Sequence, residues 1–318
     1  MAMASRPAEF RILSLSGGGY LGLYTAVVLA ELERRIGEPL GRRFDLLAGT
    51  SVGGLVAMAM AFELPLSVIV DLFKNQGRDV FSDRALPSGT VTRLLDLTRS
   101  VTGPKYSGQV LRDALQRHFG DATLADALHP VLIPAVDVTR SVTKVFKTPH
   151  AKSSRGDQDV RVVDAMMASS AAPAYFPSVR IGERLFADGG LFAVAPDQVA
   201  MHEAEHFMKI DPARIRMVSV GTATAGYQPG DSVDARAGAV GWLSDGRLIL
   251  TLIAVQQQHV QAIMEDRLGD RYLRLDAQWP VQSGLGIDVA TPSAASQLER
   301  LAHATVAELD PAVVRRFF

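Results

Sequence analysis

The chain has 318 residues, of which 47% are hydrophobic and 21% are charged, and its formal net charge at pH 7 is −1. This length and apolar content are sufficient for a single domain with a large buried core, so we expect one domain over residues 1–318. The balanced charge lacks the basic excess of proteins that bind nucleic-acid polymers, and we expect no such partner. The chain contains no cysteine, which excludes disulfides and is compatible with a reducing compartment.

Neither the start of the chain nor its apolar stretches indicate membrane insertion. Residues 1–7 lack the apolar core of a signal peptide, and no run of 18 apolar residues occurs. We therefore expect a cytoplasmic protein that is peripheral to the inner membrane when it acts there.

The first predicted element is a strand over residues 10–15, which leads into the glycine-rich loop Ser16–Gly22. Apolar residues then recur at helical spacing up to Ile36. A strand, a glycine loop and a helix N-terminus present free backbone N–H groups, which favour an anion. That anion is either a dinucleotide phosphate, since the loop satisfies G-x-G-x-x-G, or the oxyanion of an acyl-transfer intermediate.

The second strand distinguishes these interpretations. A dinucleotide-binding fold needs an acidic residue where this strand ends, but the apolar run 44–48 ends in Gly49-Thr50-Ser51-Val52-Gly53. A helical pattern of small residues follows, over 54–61. A strand, a serine flanked by glycines and a helix form a nucleophile elbow, so we favour Ser51 as a nucleophile and expect no cofactor.

A serine nucleophile requires a base, which is most often a histidine. None of the seven histidines lies in a glycine-rich or turn motif. An aspartate does, because the predicted strand 184–187 is followed by Asp188-Gly189-Gly190. By itself this segment is also typical of a hairpin turn, so its residues leave both interpretations open.

Together these motifs resemble the patatin-like phospholipases, which combine a glycine loop, a G-x-S-x-G elbow and a D-G-[GA] turn in this order. The block 168–177, Ala-Ser-Ser-Ala-Ala-Pro-Ala-Tyr-Phe-Pro, is also similar to the family pattern. The resemblance spans about residues 10–225. It implies a three-layer α/β/α fold with a mostly parallel central sheet, and an enzyme that cleaves acyl esters of membrane phospholipids through an acyl-enzyme.

The resemblance also implies roles for individual residues. Ser51 and Asp188 would form the catalytic dyad. The remaining site residues supply the oxyanion hole (Gly17, Gly18, Gly19 and Val52) or shape the turns (Gly49, Gly53, Gly189 and Gly190). The chain departs from the family pattern at Ser16, where an acid is usual, and at Leu21, where a basic residue is usual.

Bacterial relatives of this kind include phospholipases of anti-phage systems that are activated by cyclic nucleotides. The resemblance therefore suggests a cyclic di- or oligonucleotide as an activator, while assembly into a homo-oligomer is left open. Residues 82–106 are irregular apart from an amphipathic stretch over 91–97, and we interpret them as a lid.

The C-terminal part, residues 226–318, matches the family less clearly. A helix is predicted over 239–264. The terminal Arg315-Arg316-Phe317-Phe318 suits either an anionic interface or docking on the protein body, and we favour docking.

Three alternatives compete with this interpretation. His202-Glu203-Ala204-Glu205-His206 satisfies the H-E-x-x-H pattern of zinc metalloproteases, although no third ligand is evident. An α/β-hydrolase triad would join Ser51 and Asp188 to His259 or His303. The substitutions at Ser16 and Leu21 are compatible with a catalytically weak lipid-binding module.

Overall fold

The computed structural model describes residues 9–81, 103–227, 242, 247–278 and 284–318. Its centre is a single mixed sheet with the strand order β5-β6-β3-β2-β1-β7-β8, and β4 pairs with β3. The strands are β1 (Phe10–Leu15), β2 (Leu46–Gly49), β3 (Val131–Asp137), β4 (Val142–Lys147), β5 (Val179–Ile181), β6 (Arg184–Asp188), β7 (Ile215–Val220) and β8 (Tyr272–Leu275).

The centre of the sheet is parallel and one side is antiparallel. Strands β3, β2, β1, β7 and β8 pair in parallel along their shared edges, whereas β4, β5 and β6 pair antiparallel. Because parallel strands end at the same edge, the segments that follow β1 and β2 lie side by side. The glycine loop and the elbow are therefore neighbours although 30 or so residues separate them.

Helices cover both faces of the sheet. They are α1 (Gly22–Ile36), α2 (Val52–Ala61), α3 (Leu66–Val80), α4 (Gln109–Phe119), α5 (Val162–Ser169), α6 (Asp197–His202), α7 (Arg247–Leu268), α8 (Pro292–Ala307) and α9 (Pro311–Phe317). Alternating strand residues face opposite sides, so Leu13 packs with α1 and α2, while Ile12 packs with α6 and α7. Burial on both faces explains why the strands read as continuous apolar runs. The predicted three-layer fold is confirmed.

The predicted elements agree with the observed ones except at their ends. Strand β1 has the predicted bounds, whereas α2 begins at Val52 rather than at residue 54, and α3 spans Leu66–Val80. Ile69, Phe73, Gly77 and Val80 continue the buried stripe of α3. Helix α7 is described from Arg247, so the start predicted at residue 239 lies outside the described residues.

The C-terminal residues are docked on the body, as we favoured. Phe318 is buried and its ring meets that of Phe44 edge to face, with centroids 5.8 Å apart. The Arg216 guanidinium lies 5.1 Å from the ring of Phe317, so these aromatics are used inside the fold.

Two further expectations depend on residues that are only partly described. Most of the proposed lid, residues 82–102, lies outside the described residues, and the extent of a single domain over 1–318 stays a prediction. None of the helices in the described ranges combines the length and the apolar character required to cross a membrane.

Candidate active site

The segment after β2 has the geometry of a nucleophile elbow. Ser51 has φ 54° and ψ −123°, a strained backbone conformation for a residue with a side chain. The flanking glycines permit this sharp turn. A Cβ atom on Gly49 would lie 2.2 Å from the carbonyl oxygen of Gly53, and one on Gly53 would lie 2.3 Å from that of Leu15.

Hydrogen bonds from two other parts of the chain hold the elbow. The Ser51 N–H donates to Ser169 Oγ at 2.9 Å, and this hydroxyl donates to the Pro134 carbonyl at 2.7 Å. The Thr50 hydroxyl donates to the Ala193 carbonyl at 2.6 Å. Ser169 belongs to the block that resembles the family pattern, but its contact with Ser51 is visible only in the folded chain.

Asp188 is the last residue of β6 and faces the elbow. Its Oδ1 accepts a 2.6 Å hydrogen bond from the Gly190 N–H, and its carboxylate lies close enough to the Ser51 hydroxyl for that group to lower its pKa. The residue is only 6% exposed. Burial raises the pKa of Asp188 to about 6, although the Gly190 N–H and the Ser51 hydroxyl both act to lower this pKa. A carboxylate with such a pKa is suited to act as a base near neutral pH.

The Asp-Gly-Gly segment is not a hairpin turn. Strand β6 pairs with β5 through the preceding turn at Gly182, and Gly189–Leu191 form a short 3₁₀ turn after Asp188. The structure therefore brings Ser51 and Asp188 together in the arrangement that the resemblance implies.

The glycine loop presents backbone N–H groups beside Ser51. In the part of the chain that the structure describes, the N–H groups of Gly18, Gly19 and Val52 have no hydrogen-bond partner. The N–H of Gly17, by contrast, donates to the Val194 carbonyl at 2.9 Å, so Gly17 must be removed from the expected set of oxyanion donors. Gly19 has φ +59°, and a Cβ atom there would lie 2.1 Å from the Ile287 carbonyl oxygen.

The substitutions at Ser16 and Leu21 are accommodated by the fold. Leu21 is completely buried in the core. The Ser16 hydroxyl accepts a hydrogen bond at 3.2 Å from the buried Arg274, which also contacts Ser219 and forms an ion pair with Asp276 at 2.7 Å. Arg274 lies 258 residues after Ser16, and no local sequence signal indicated this contact.

Ser51 and Asp188 line an apolar cavity. Its walls come from α2, α3, α4, α7 and the segments around residues 173 and 287, and they include Leu55, Leu72, Phe73, Val80, Phe81, Leu111, Phe176, Ile249, Ile253 and Ile287. Among the described residues that line it, none is a histidine. His259 and His303 are exposed elsewhere, so the structure does not assemble the α/β-hydrolase triad.

The H-E-x-x-H segment has a different arrangement from a zinc site. It spans the end of α6 and a π-helical turn over Glu203–Phe207. Glu203 is buried, forms an ion pair with Lys147 and is hydrogen-bonded to His150, while the rings of His202 and His206 stack on each other 5.0 Å apart. Within the described residues, no group of three His, Asp or Glu side chains is placed to hold a metal.

Fold and site together define a serine hydrolase, with a serine elbow, a buried carboxylate and a glycine loop around an apolar cavity. A family model described as "Patatin-like phospholipase" matches residues 13–201. The chain belongs to the patatin-like phospholipase family, as the sequence predicted, and is a lipid acyl hydrolase.

Individual relatives extend the match beyond the family model. The chain is 38% identical over 296 residues to a cGAMP-activated phospholipase of Pseudomonas aeruginosa, covering 92% of this chain and 82% of that protein. It is 32% identical over 313 residues to a cGAMP-activated phospholipase of Vibrio cholerae, covering 91% and 87%. The solved structure of VipD from Legionella pneumophila matches 94% of this chain and 67% of its own, with a TM-score of 0.41 and 12% identity. These findings give no support to the metalloprotease alternative.

Proposed function

We propose that this enzyme hydrolyses acyl esters of membrane phospholipids with Ser51 as the nucleophile and Asp188 as the base. The observation that carries the proposal is the placement of the buried Asp188 carboxylate beside the Ser51 hydroxyl, with both residues lining the apolar cavity. No histidine is needed, because the raised pKa makes the carboxylate a sufficiently strong base.

The reaction proceeds in two steps. Asp188 accepts the hydroxyl proton as Ser51 Oγ attacks the ester carbonyl, and the negative oxygen that forms is bound by the N–H groups of Gly18, Gly19 and Val52. The protonated Asp188 then donates its proton to the departing lysophospholipid alkoxide, which leaves an acyl-Ser51 ester. Water attacks this ester with Asp188 again as base, and the fatty acid is released with Ser51 restored.

The walls of the cavity are suited to an acyl chain, and its rim is suited to a lipid surface. Leu191 and Leu252 line the cavity yet are 52% and 44% exposed, and Val255, one turn further along α7, is 58% exposed. We infer that this apolar rim contacts the membrane while a phospholipid enters. Such a contact would be peripheral, since the rim is a few side chains wide.

Control by a cyclic nucleotide is supported by the names of the relatives. Both bacterial relatives described above are cGAMP-activated phospholipases, and we propose that cGAMP or a similar cyclic nucleotide activates this chain. An activator that raises the active population a hundredfold must bind the active state more tightly by roughly 3 kcal/mol. It should therefore also raise the melting temperature at saturation. Assembly into a homo-oligomer stays a prediction.

The experiment that tests the function is the release of fatty acid from phospholipid vesicles, measured with and without cGAMP. We expect low basal release, a large increase with the nucleotide, and no release by Ser51→Ala in either condition. Full activity of Ser51→Ala would refute the proposed nucleophile. Fast release that no cyclic nucleotide changes, with an unchanged melting temperature, would refute the activation and leave a constitutive hydrolase.

A further inference from the structure

The loop that follows Asp188 is hydrogen-bonded at two points by Gln256 of α7. The Gln256 amide nitrogen donates to the Gly190 carbonyl at 3.1 Å, and its amide oxygen accepts from the Val194 N–H at 3.2 Å. Both polar ends of the amide are thus used, and they hold the two ends of the segment 190–194. We call this segment the acid loop, because it begins beside the Gly190 N–H that binds the Asp188 carboxylate.

The acid loop also contacts the other two parts of the site. Its Ala193 carbonyl accepts a hydrogen bond from the hydroxyl of Thr50, the residue before the nucleophile. Its Val194 carbonyl accepts a hydrogen bond from the N–H of Gly17, in the glycine loop. A displacement of the acid loop would therefore change the position of the base, the elbow and the oxyanion donors together.

We propose that Gln256 is a positioning residue for catalysis. It fixes the acid loop so that Asp188 and the glycine loop keep their positions relative to Ser51. This inference rests on the proposed function of Ser51 and Asp188. It assigns a role in catalysis to α7, which lies in the C-terminal part that matches the family less clearly. The separation of 62 to 66 residues between the partners explains why no sequence motif indicates the contact.

The contacts distinguish positioning from packing. The neighbouring residues Ile249 and Ile253 already line the cavity with apolar groups, so packing at position 256 does not require an amide. Methionine has a similar length and similar helix propensity, and it fills the same space without donating or accepting strong hydrogen bonds. Gln256→Met therefore removes the two hydrogen bonds and retains most of the packing.

The test compares Gln256→Met with Gln258→Met, since Gln258 lies on the exposed side of the same helix. The substrate is p-nitrophenyl butyrate, a soluble ester that requires no membrane, and active sites are counted by titration with a fluorophosphonate. We expect kcat per titrated site to fall about tenfold or more in Gln256→Met, because small misplacements of catalytic groups cost rates of this size. KM should stay near the wild-type value, and Gln258→Met should match the wild type.

The pH profile provides a readout that a purely structural role would not move. The Gly190 N–H lowers the pKa of Asp188, so loosening this loop should shift the acid limb of kcat to higher pH. The described side chains that face Asp188 add no charge, and Tyr175 is the other titratable group that lines the cavity. A Gln256→Met enzyme with wild-type kcat per site and an unshifted acid limb would overturn the proposal.

A second variant decides the matter if Gln256→Met does not fold. Gln256→Glu retains an acceptor for the Val194 N–H and loses the donor to the Gly190 carbonyl. We expect it also to lower kcat per titrated site, and a wild-type kcat per site in this variant would refute the positioning role. Ser51→Ala separates the two proposals, since activity in that variant refutes the dyad, whereas an inactive Ser51→Ala with normal Gln256 variants refutes only the positioning role.

Discussion

The backbone N–H of Ser51 is bound to the hydroxyl of Ser169, with 2.9 Å between nitrogen and oxygen. Ser169 is completely buried at the end of α5, and its hydroxyl in turn donates to the Pro134 carbonyl of β3. A residue with a side chain and positive φ costs about 1–3 kcal/mol, so its conformation persists only where neighbours enforce it. Ser169 is one of these neighbours, and it connects the elbow to the strand that pairs with β6.

We predict that Ser169→Ala weakens both the fold and the reaction. The substitution leaves the Ser51 N–H and the Pro134 carbonyl without their partner, and a buried unsatisfied group costs about 1–3 kcal/mol. The free energy of unfolding in urea should fall by about 2 kcal/mol, and kcat should fall more than about tenfold. Ser67→Ala, at an exposed serine of α3, should change neither quantity. Wild-type kcat in Ser169→Ala would show that the elbow does not depend on this contact.

The identity of the base can be tested by removing each candidate. Asp188→Asn keeps an oxygen that accepts from the Gly190 N–H but removes the basic carboxylate. We expect its hydrolysis rate on vesicles to fall on the order of a thousandfold. His259→Ala and His303→Ala should change the rate by less than about tenfold, because both histidines are exposed away from the cavity. A folded histidine variant as inactive as Asp188→Asn would favour a triad instead.

The raised pKa of Asp188 predicts how activity depends on pH. The carboxyl must be ionised to accept the Ser51 proton, and its pKa is about 6 because of burial. Activity on a soluble ester should therefore be constant at mildly alkaline pH and decline as the pH falls through about 6. The measurement is a series of kcat/KM values between about pH 4.5 and about pH 8.5, in steps of roughly half a pH unit. Nearly constant activity down to about pH 4.5, as an aspartate with the ordinary pKa of 3.8 would give, would contradict the desolvated environment of Asp188.

The same pKa predicts that the catalytic aspartate destabilises the fold. The pKa rises from 3.8 to about 6 on folding, so the folded state binds more protons between these values and stability declines as the pH rises through them. Two pKa units correspond to a loss of about 3 kcal/mol of stability, and this loss is complete above about pH 6 and absent below about pH 4.

Asp188→Asn should accordingly be more stable than the wild type by up to about 3 kcal/mol at pH 8, and similar to it at pH 4. Urea unfolding of both proteins at the two pH values measures this difference. A stabilisation of equal size at both pH values would mean that it does not arise from the ionised carboxylate.

The apolar rim predicts a selective loss of activity on membranes. Val255→Asp places a charge at the rim without altering a side chain that lines the cavity. We expect vesicle hydrolysis to fall at least about fivefold, while hydrolysis of p-nitrophenyl butyrate stays unchanged, since burial of a valine in lipid contributes about 1.5 kcal/mol or more. Val142→Asp, at a half-exposed valine of β4, serves as the control. Equal loss with both substrates would contradict a role in lipid contact.

Sequence reasoning identified those parts of the site whose geometry is local. Ser51 needs flanking glycines and an adjoining strand and helix, and Asp188 needs the glycines that follow it. These requirements involve a few neighbouring residues, so they leave a readable pattern. The same reasoning could not establish whether Asp188-Gly189-Gly190 was a hairpin turn, because the pairing of β6 with β3 and β5 depends on residues far away in the chain.

Local sequence patterns were sufficient to predict the order of strands and helices, the nucleophile elbow, the glycine loop and the family. Three contacts became visible only in the folded chain: the Gly17 N–H donates to the Val194 carbonyl, Arg274 donates to the Ser16 hydroxyl, and Gln256 binds the acid loop. The physical reason is that hydrogen bonds between distant segments depend on how helices pack on the sheet. Hydrophobic periodicity specifies which face is buried, but it does not specify which polar atoms meet there.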